Sequence, residues 1–228
     1  MTMNQTTSIV RIWDLPTRVC HVLLALCVFG LIVTGQIGGE AMRIHFWLGY
    51  GVLTLVLFRL VWGLFGGHWS RFVNFVPSPQ ALREYIVTPK SHQNTSSIGH
   101  NPLGALSVIA MLTLLLVQVL SGFMSDDEIS VSGPWVAWVP GAWIAIATRY
   151  HTEIGKVLLI FLVVLHIGAV LFYKFIQHDD LITPMISGDK PLAANTKESR
   201  DSFTSRAFAL GVLAGCAYVV YQLVHLNG

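Results

Sequence analysis

Two histidines bracket the most apolar run of the chain, H-T-E-I-G-K-V-L-L-I-F-L-V-V-L-H from His151 to His166. If the run is helical, at about 1.5 Å and about 100° per residue its fifteen steps separate the rings by roughly 22 Å along the axis and about 60° around it. Both imidazoles then face one side of one helix at different membrane depths. Ionisable side chains inside an apolar span are costly and mark ion paths, proton relays or cofactors. Neutral imidazole is also the usual nitrogen ligand of haem iron. The segment therefore reads as the shared wall of two stacked haems. The competing structural reading is one buried, hydrogen-bonded histidine and one at the water interface.

The elements that must hold these histidines are membrane spans. The 228 residues are 54% hydrophobic and 11% charged, against about 25% charged for a soluble domain. Apolar stretches of about 20 residues fall at roughly Pro16 to Gly35, Ile44 to Gly66, Pro102 to Met124, Trp143 to Ile176 and Arg206 to Leu226. Arg11 and Arg18 precede the first span; Arg71, Arg83 and Lys90 follow the second; Lys174, Lys190, Lys197, Arg200 and Arg206 lie between the fourth and fifth. The opposite loops hold only Arg43 and Arg149, with the acidic run Asp126, Asp127, Glu128. By the positive-inside rule the N-terminus is cytoplasmic and the C-terminus, Gly228, is outside. The first apolar run has no A-x-A type site and reads as a retained helix rather than a cleaved signal.

That topology pairs the histidines by depth. His21 lies just inside the first span, on the cytoplasmic side. His45 opens the second span on the outer side, level with His151, while His166 is level with His21. Two six-coordinate sites follow, His45 with His151 outside and His21 with His166 inside. Gly49 and Gly155 each lie four residues after an outer ligand, where a flat macrocycle could press on bare backbone. Ordinary close packing of membrane helices explains them equally well. Arg59 and Lys156 are cations inside the spans. Each is a candidate partner for a haem propionate, with snorkelling to the interface as the alternative.

Along the rest of the chain, Met1 to Val10 read as a polar, mobile start. Asp14, two residues before Pro16, reads as an N-cap. Ser78 and Pro79 open a short amphipathic surface helix with Leu82, Tyr85 and Ile86 on its apolar face. Ser91 to Gly99 reads as a polar loop. The third span has no internal histidine and reads as scaffold or a quinone wall. The loop from Ser125 to Ala142 is acidic, then rich in tryptophan. It could dock a basic partner, or be a solvated loop with aromatic anchors. Cys20, Cys27 and Cys216 fall in or beside apolar spans and no C-x-x-C-H occurs, which argues against covalent haem and against a disulfide framework. Ala207, Gly211 and Gly215 form a ridge of small residues on the fifth helix.

The combination of V-R-I-W-D-L-P-T-R-V-C-H, H-F-W-L-G-Y-G-V-L-T-L-V-L-F-R-L-V-W-G, R-F-V-N-F-V-P-S-P, G-H-N-P-L-G-A-L and the H-x14-H helix resembles the bacterial diheme cytochrome b561 and nickel-iron hydrogenase b-type cytochrome subunits. The resemblance covers about Val10 to Gly188. It implies a four-helix transmembrane bundle holding two non-covalent b haems through His21, His45, His151 and His166. It also implies electron transfer between the membrane quinone pool and a periplasmic partner, a cytochrome c or a dehydrogenase or hydrogenase subunit. A quinone site near the cytoplasmic haem would fall at His100 and Asn101. The family's helix-four histidines are usually fourteen apart, whereas here they are fifteen apart. His151 must then reach its iron from a different rotation or through a local π-bulge. His225, on the additional fifth helix, is a competing ligand for the outer iron.

The expected organisation is an all-α integral membrane protein of the bacterial inner membrane: residues 1–188 as the diheme domain, 189–205 as a polar linker, and 206–228 as the fifth transmembrane helix. No nucleic-acid partner is expected, and a homodimer is compatible. An anchor subunit with chiefly structural haems is one alternative. A proton or ion transporter is another, disfavoured because the histidines pair by depth and no inverted repeat is evident.

Overall fold

The computed structural model describes residues 7–87, 98–129 and 131–225. Most of the expected Ser91 to Gly99 loop and the terminal Gly228 lie outside the described residues. Five helices are long and apolar enough to cross a membrane: α1 (Leu15–Ile37), α2 (Ala41–Phe65), α4 (Pro102–Phe123), α5 (Gly141–Phe175) and α7 (Phe203–Val224). Strand β1 (Thr7–Arg11) precedes α1, and between the long helices lie α3 (Pro79–Val87), α6 (Ile182–Ser187) and strand β2 (Asp189–Ala193). The helix ends follow local chemistry. The Thr17 amide donates to the Asp14 carboxylate at 2.8 Å, the Ala81 amide to the Ser78 hydroxyl at 3.2 Å and the Gly104 amide to the Asn101 side chain at 2.7 Å. Gly38 and Gly39 end α1 in the left-handed region, at φ 67° and 54°. Exposed Leu26, Phe29, Trp47 and Phe161 suit faces turned to lipid.

The chain forms two compact units. The first gathers Met1–Val19, Leu60–Ile109 and His166–Ala209; the second gathers Cys20–Arg59, Ala110–Leu165 and Leu210–Gly228.

In the first unit Thr7–Arg11 forms a β-strand, contrary to the mobile start expected up to Val10; Met1 to Thr6 lie outside the described residues. β1 pairs antiparallel with β2, Thr7 opposite Ala193 and Arg11 opposite Asp189. Val10, Ile12 and Trp13 are buried, with Trp69, Ile98, Met185 and Leu192 packed on them. The segment 189–205 thus carries structure as well as length. The Ser199 amide donates to the Arg11 carbonyl at 2.8 Å, and its hydroxyl donates to the Ile12 carbonyl. Arg11 pairs with Asp189 and Asp201, and Arg206 also pairs with Asp201. Asp14 is fully buried at the unit's centre. Its carboxylate accepts hydrogen bonds from the Thr17 and Gly67 amides, the Trp62 indole and the Ser70 hydroxyl.

Burial disfavours the charged Asp201 carboxylate, but hydrogen bonds from Arg206, the Leu15 amide and Arg11 outweigh it and hold the group below the usual carboxylate range. A depressed folded-state pKa adds stability above the unfolded value, about 3.9, that disappears as pH falls through the folded value. Thermal stability should therefore be insensitive to this group from neutrality down to about pH 5 and decline below about pH 4. Asp201→Asn should lower stability at pH 7 and make the acid side of the melting-temperature profile shallower. An unchanged profile in that variant would remove Asp201 from the account.

Candidate functional site

The second unit brings two of the candidate ligands together. The His45 and His151 rings lie with centroids 6.1 Å apart and planes at 83°. Two nitrogen-to-metal bonds of about 2 Å, plus about 1.1 Å from each nitrogen to its ring centre, span roughly 6 Å. The separation therefore fits two histidines that would hold one iron between them. The angle between the planes is compatible, because each ring can rotate about its own metal bond.

Hydrogen bonds decide which nitrogen is available. The Thr34 hydroxyl gives its one proton to the Gly30 carbonyl at 2.7 Å, so its oxygen accepts from His45 Nδ1 at 3.1 Å. His151 Nδ1 faces the Gln118 carbonyl at 2.8 Å, a group that can only accept. Both rings therefore carry the proton on Nδ1 and leave the Nε2 lone pair for a metal, the arrangement that orients metal-binding histidines generally. Each ring also sits against a glycine. A Cβ on Gly35 would lie 3.2 Å from His45 Cε1, and one on Gly122 would lie 2.7 Å from His151 Cε1.

The fifteen-residue spacing finds its local answer here. Tyr150–Gly155 is a π-helix inside α5, so one extra residue is absorbed around His151 before Lys156–Phe175 resumes α-helical geometry. Helix arithmetic then treats the two histidines as fourteen residues apart. Gly155 does not serve as the bare wall expected for a macrocycle, because the Gln118 side chain and the Tyr150 ring fill the space beside it. Gly49 has nothing within 4 Å of its Cβ position.

The other candidates are placed as follows. His21 lies on an exposed face of α1 in the second unit, and His166 is half-buried in the first. Arg59 is 7% exposed, which does not fit a side chain that snorkels to the interface. Lys156 is half-buried at the end of the π-turn. His225 stacks on Tyr221 at 4.2 Å, with its Nδ1 2.9 Å from the Tyr221 carbonyl.

In the first unit His100 is held between Trp13 and Phe75, at centroid distances of 4.8 and 4.6 Å. Asn101 caps α4, and a side-chain hydrogen bond joins it to Tyr173. The Tyr173 hydroxyl in turn lies 3.3 Å from that of Tyr85. His68 receives the Asn74 amide on Nδ1, and burial, with Lys197 and Arg71 nearby, holds it below the usual imidazole range.

Sequence reasoning missed Gln118, Ser121, Thr34, Tyr85 and Tyr173 as members of these constellations. Gln118 carried a signal, being the one side-chain amide in α4, at a depth where polar groups are expensive.

The model of the prokaryotic cytochrome b561 family matches residues 12–188. A probable Ni/Fe-hydrogenase B-type cytochrome subunit of Bradyrhizobium diazoefficiens is 25% identical over 212 residues, covering 79% of this chain and 85% of that protein. A probable Ni/Fe-hydrogenase 1 B-type cytochrome subunit of Escherichia coli is 24% identical over 212 residues, covering 78% and 88%. A probable Ni/Fe-hydrogenase B-type cytochrome subunit of Rhodobacter capsulatus is 25% identical over 215 residues, covering 79% and 81%. No solved structure matches significantly. With the match spanning most of the chain, five membrane-crossing helices and a histidine pair suited to iron, the chain belongs to the prokaryotic cytochrome b561 family, multi-pass membrane b-type cytochromes that use haem b in electron transfer.

Proposed function

We propose that this protein is a diheme membrane cytochrome that carries electrons between the quinone pool and a redox partner on the outer side, a hydrogenase being the partner that the relatives' names suggest. The observation that carries the reading is the His45 and His151 pair, with both Nδ1 positions engaged and the rings at the separation one iron needs. His21 and His166 form the second, inner pair in this reading, on the strength of helix arithmetic and the family match. The bound haem supplies one-electron chemistry. His45 and His151 would hold the group at the outer level, and the chain offers cations, of which buried Arg59 would suit a propionate at the inner level and Lys156 one at the outer level.

Lys and Arg lie mostly beside the N-terminus, between α2 and α4 and before α7, so the N-terminus is cytoplasmic and the C-terminus periplasmic in this reading, within the bacterial inner membrane. The acidic loop then lies outside. Exposed Asp127 and Glu128 give it negative charge suited to a basic partner surface, where rim charges act mainly on association rate.

Quinone reacts on the inner side in this reading, beside His100, Asn101 and the two tyrosines. His100 is the proton carrier in this reading, because imidazole can both accept and release a proton. His100→Ala should keep both haem spectra and slow quinol-dependent haem reduction about tenfold or more, with a changed profile between about pH 6 and 8. Kinetics matching the parent across that range would place the quinone site elsewhere. The absence of any dithionite-reducible α band in the purified protein would end the electron-transfer reading itself.

A further inference from the structure

Residues 118 and 151 are joined by two reciprocal hydrogen bonds. The Gln118 side-chain amide donates to the His151 carbonyl at 2.9 Å, while the Gln118 carbonyl accepts from His151 Nδ1 at 2.8 Å. Each main chain therefore holds the other's side chain. The Ser121 hydroxyl also donates to that Gln118 carbonyl at 2.8 Å, which fixes its direction. Four residues on from Gln118, Gly122 presents the bare backbone against which the His151 ring lies. On the other helix, a Cβ at Gly155 would overlap the Gln118 side-chain oxygen and come 2.7 Å from the Tyr150 ring. Gly155, the last residue of the π-helix, is what admits Gln118.

The π-helix needs such a partner. Inserting one residue into a helix loosens its hydrogen-bond ladder and turns carbonyls outward, and inside an apolar span no water is available to satisfy them. The Gln118 amide supplies a donor to the carbonyl of the very residue whose ring must be aimed. We propose that Gln118, seated on Gly155, is a positioning residue that locks the π-helix and sets the orientation of His151 toward the outer iron. The proposal rests on the reading of His45 and His151 as the axial pair of one haem.

The test uses full-length Gln118→Leu and Gly155→Ala proteins, with redox titration and low-temperature electron paramagnetic resonance to resolve the two haems. Gln118→Leu removes the donor at similar volume; Gly155→Ala expels the same side chain by filling its seat. In each, one low-spin haem signal should shift and the other stay at the parental position. The reduction equilibrium of the affected haem should change about tenfold, which is about 59 mV for one electron. Retention of that haem should fall by about 10- to 100-fold. The double variant should show little beyond either single change, because both remove one interaction. Parental signals for both haems in Gln118→Leu would overturn the proposal, as would equal shifts in both. Should Gln118→Leu fail to assemble, Gly155→Ala carries the same test. His151→Ala separates the two levels of argument: if it retains both haems, the ligand reading fails, whereas loss of one haem there beside a parental Gln118→Leu sinks this inference alone.

Discussion

Replacing His151 with alanine should halve the haem content, from the two per chain proposed above to one, as measured by pyridine haemochrome on purified protein. The His151 Nδ1 proton is committed to the Gln118 carbonyl, which leaves Nε2 for a metal, and the ring centre lies 6.1 Å from that of His45. An axial bond lost from a six-coordinate site removes most of the binding free energy that holds a non-covalent group there. His45→Ala should give the same loss. The combined His45→Ala, His151→Ala protein should still hold one haem, because in the proposed pairing both side chains serve a single iron. His225→Ala should leave two, since that ring is exposed, stacked on Tyr221 and already bonded through Nδ1. Loss of both haems in the double variant, with the bundle still folded by circular dichroism, would show that the pairs are not independent. Full retention in His151→Ala would remove it from the ligand set.

The proximity of His45 and His151 was legible for a simple reason. α2 and α5 enter the bilayer from the same side, each after an odd number of spans, and both histidines lie toward the entering end. The extra residue between His151 and His166 was also readable as a demand for a local distortion, and the π-helix at Tyr150–Gly155 answers it. What could not be read is how the distortion is held. Gln118 reaches a carbonyl that is turned toward it only once the bulge exists, so no periodicity in α4 announces the contact. β1 was hidden differently. The segment T-S-I-V-R has strand-like residues, but its partner β2 lies nearly the whole chain away, and neither strand is long enough to be convincing without the other. Asn101 was legible as a cap, whereas its link to Tyr173 depends on where α5 ends.

The same limit applies to Asp14, where an N-cap was expected and a buried hub was found, and the difference sets the size of the expected effect. Asp14→Ala should destabilise the protein by about 4 kcal/mol or more, well beyond a lost cap, which costs about 0.5–2 kcal/mol. Four donors converge on this fully buried carboxylate: the Thr17 amide at 2.8 Å, the Trp62 indole at 3.0 Å, the Gly67 amide at 3.2 Å and the Ser70 hydroxyl at 2.7 Å. Each buried donor left without an acceptor costs about 1–3 kcal/mol. Rescue is limited because the hydroxyls are already ordered. Ser70 gives its proton to Asp14, so Thr17 must donate to Ser70 across their 2.7 Å contact. Gly67 stands where any Cβ would run into the carboxylate. Asp14→Asn should fall between parent and alanine: its oxygen can still serve Thr17 and Trp62, but its amide would face the Gly67 N–H, donor against donor. The readout is the temperature at which the detergent-solubilised protein releases haem, with the order parent, asparagine, alanine. An asparagine variant as stable as the parent would show that the negative charge is dispensable. An alanine variant within about 1 kcal/mol of the parent would show that water replaces the carboxylate, and the hub would lose its role. His21 lies seven residues along the helix that Asp14 caps, so on the proposed pairing the alanine variant should also lose haem from the inner site before the outer one.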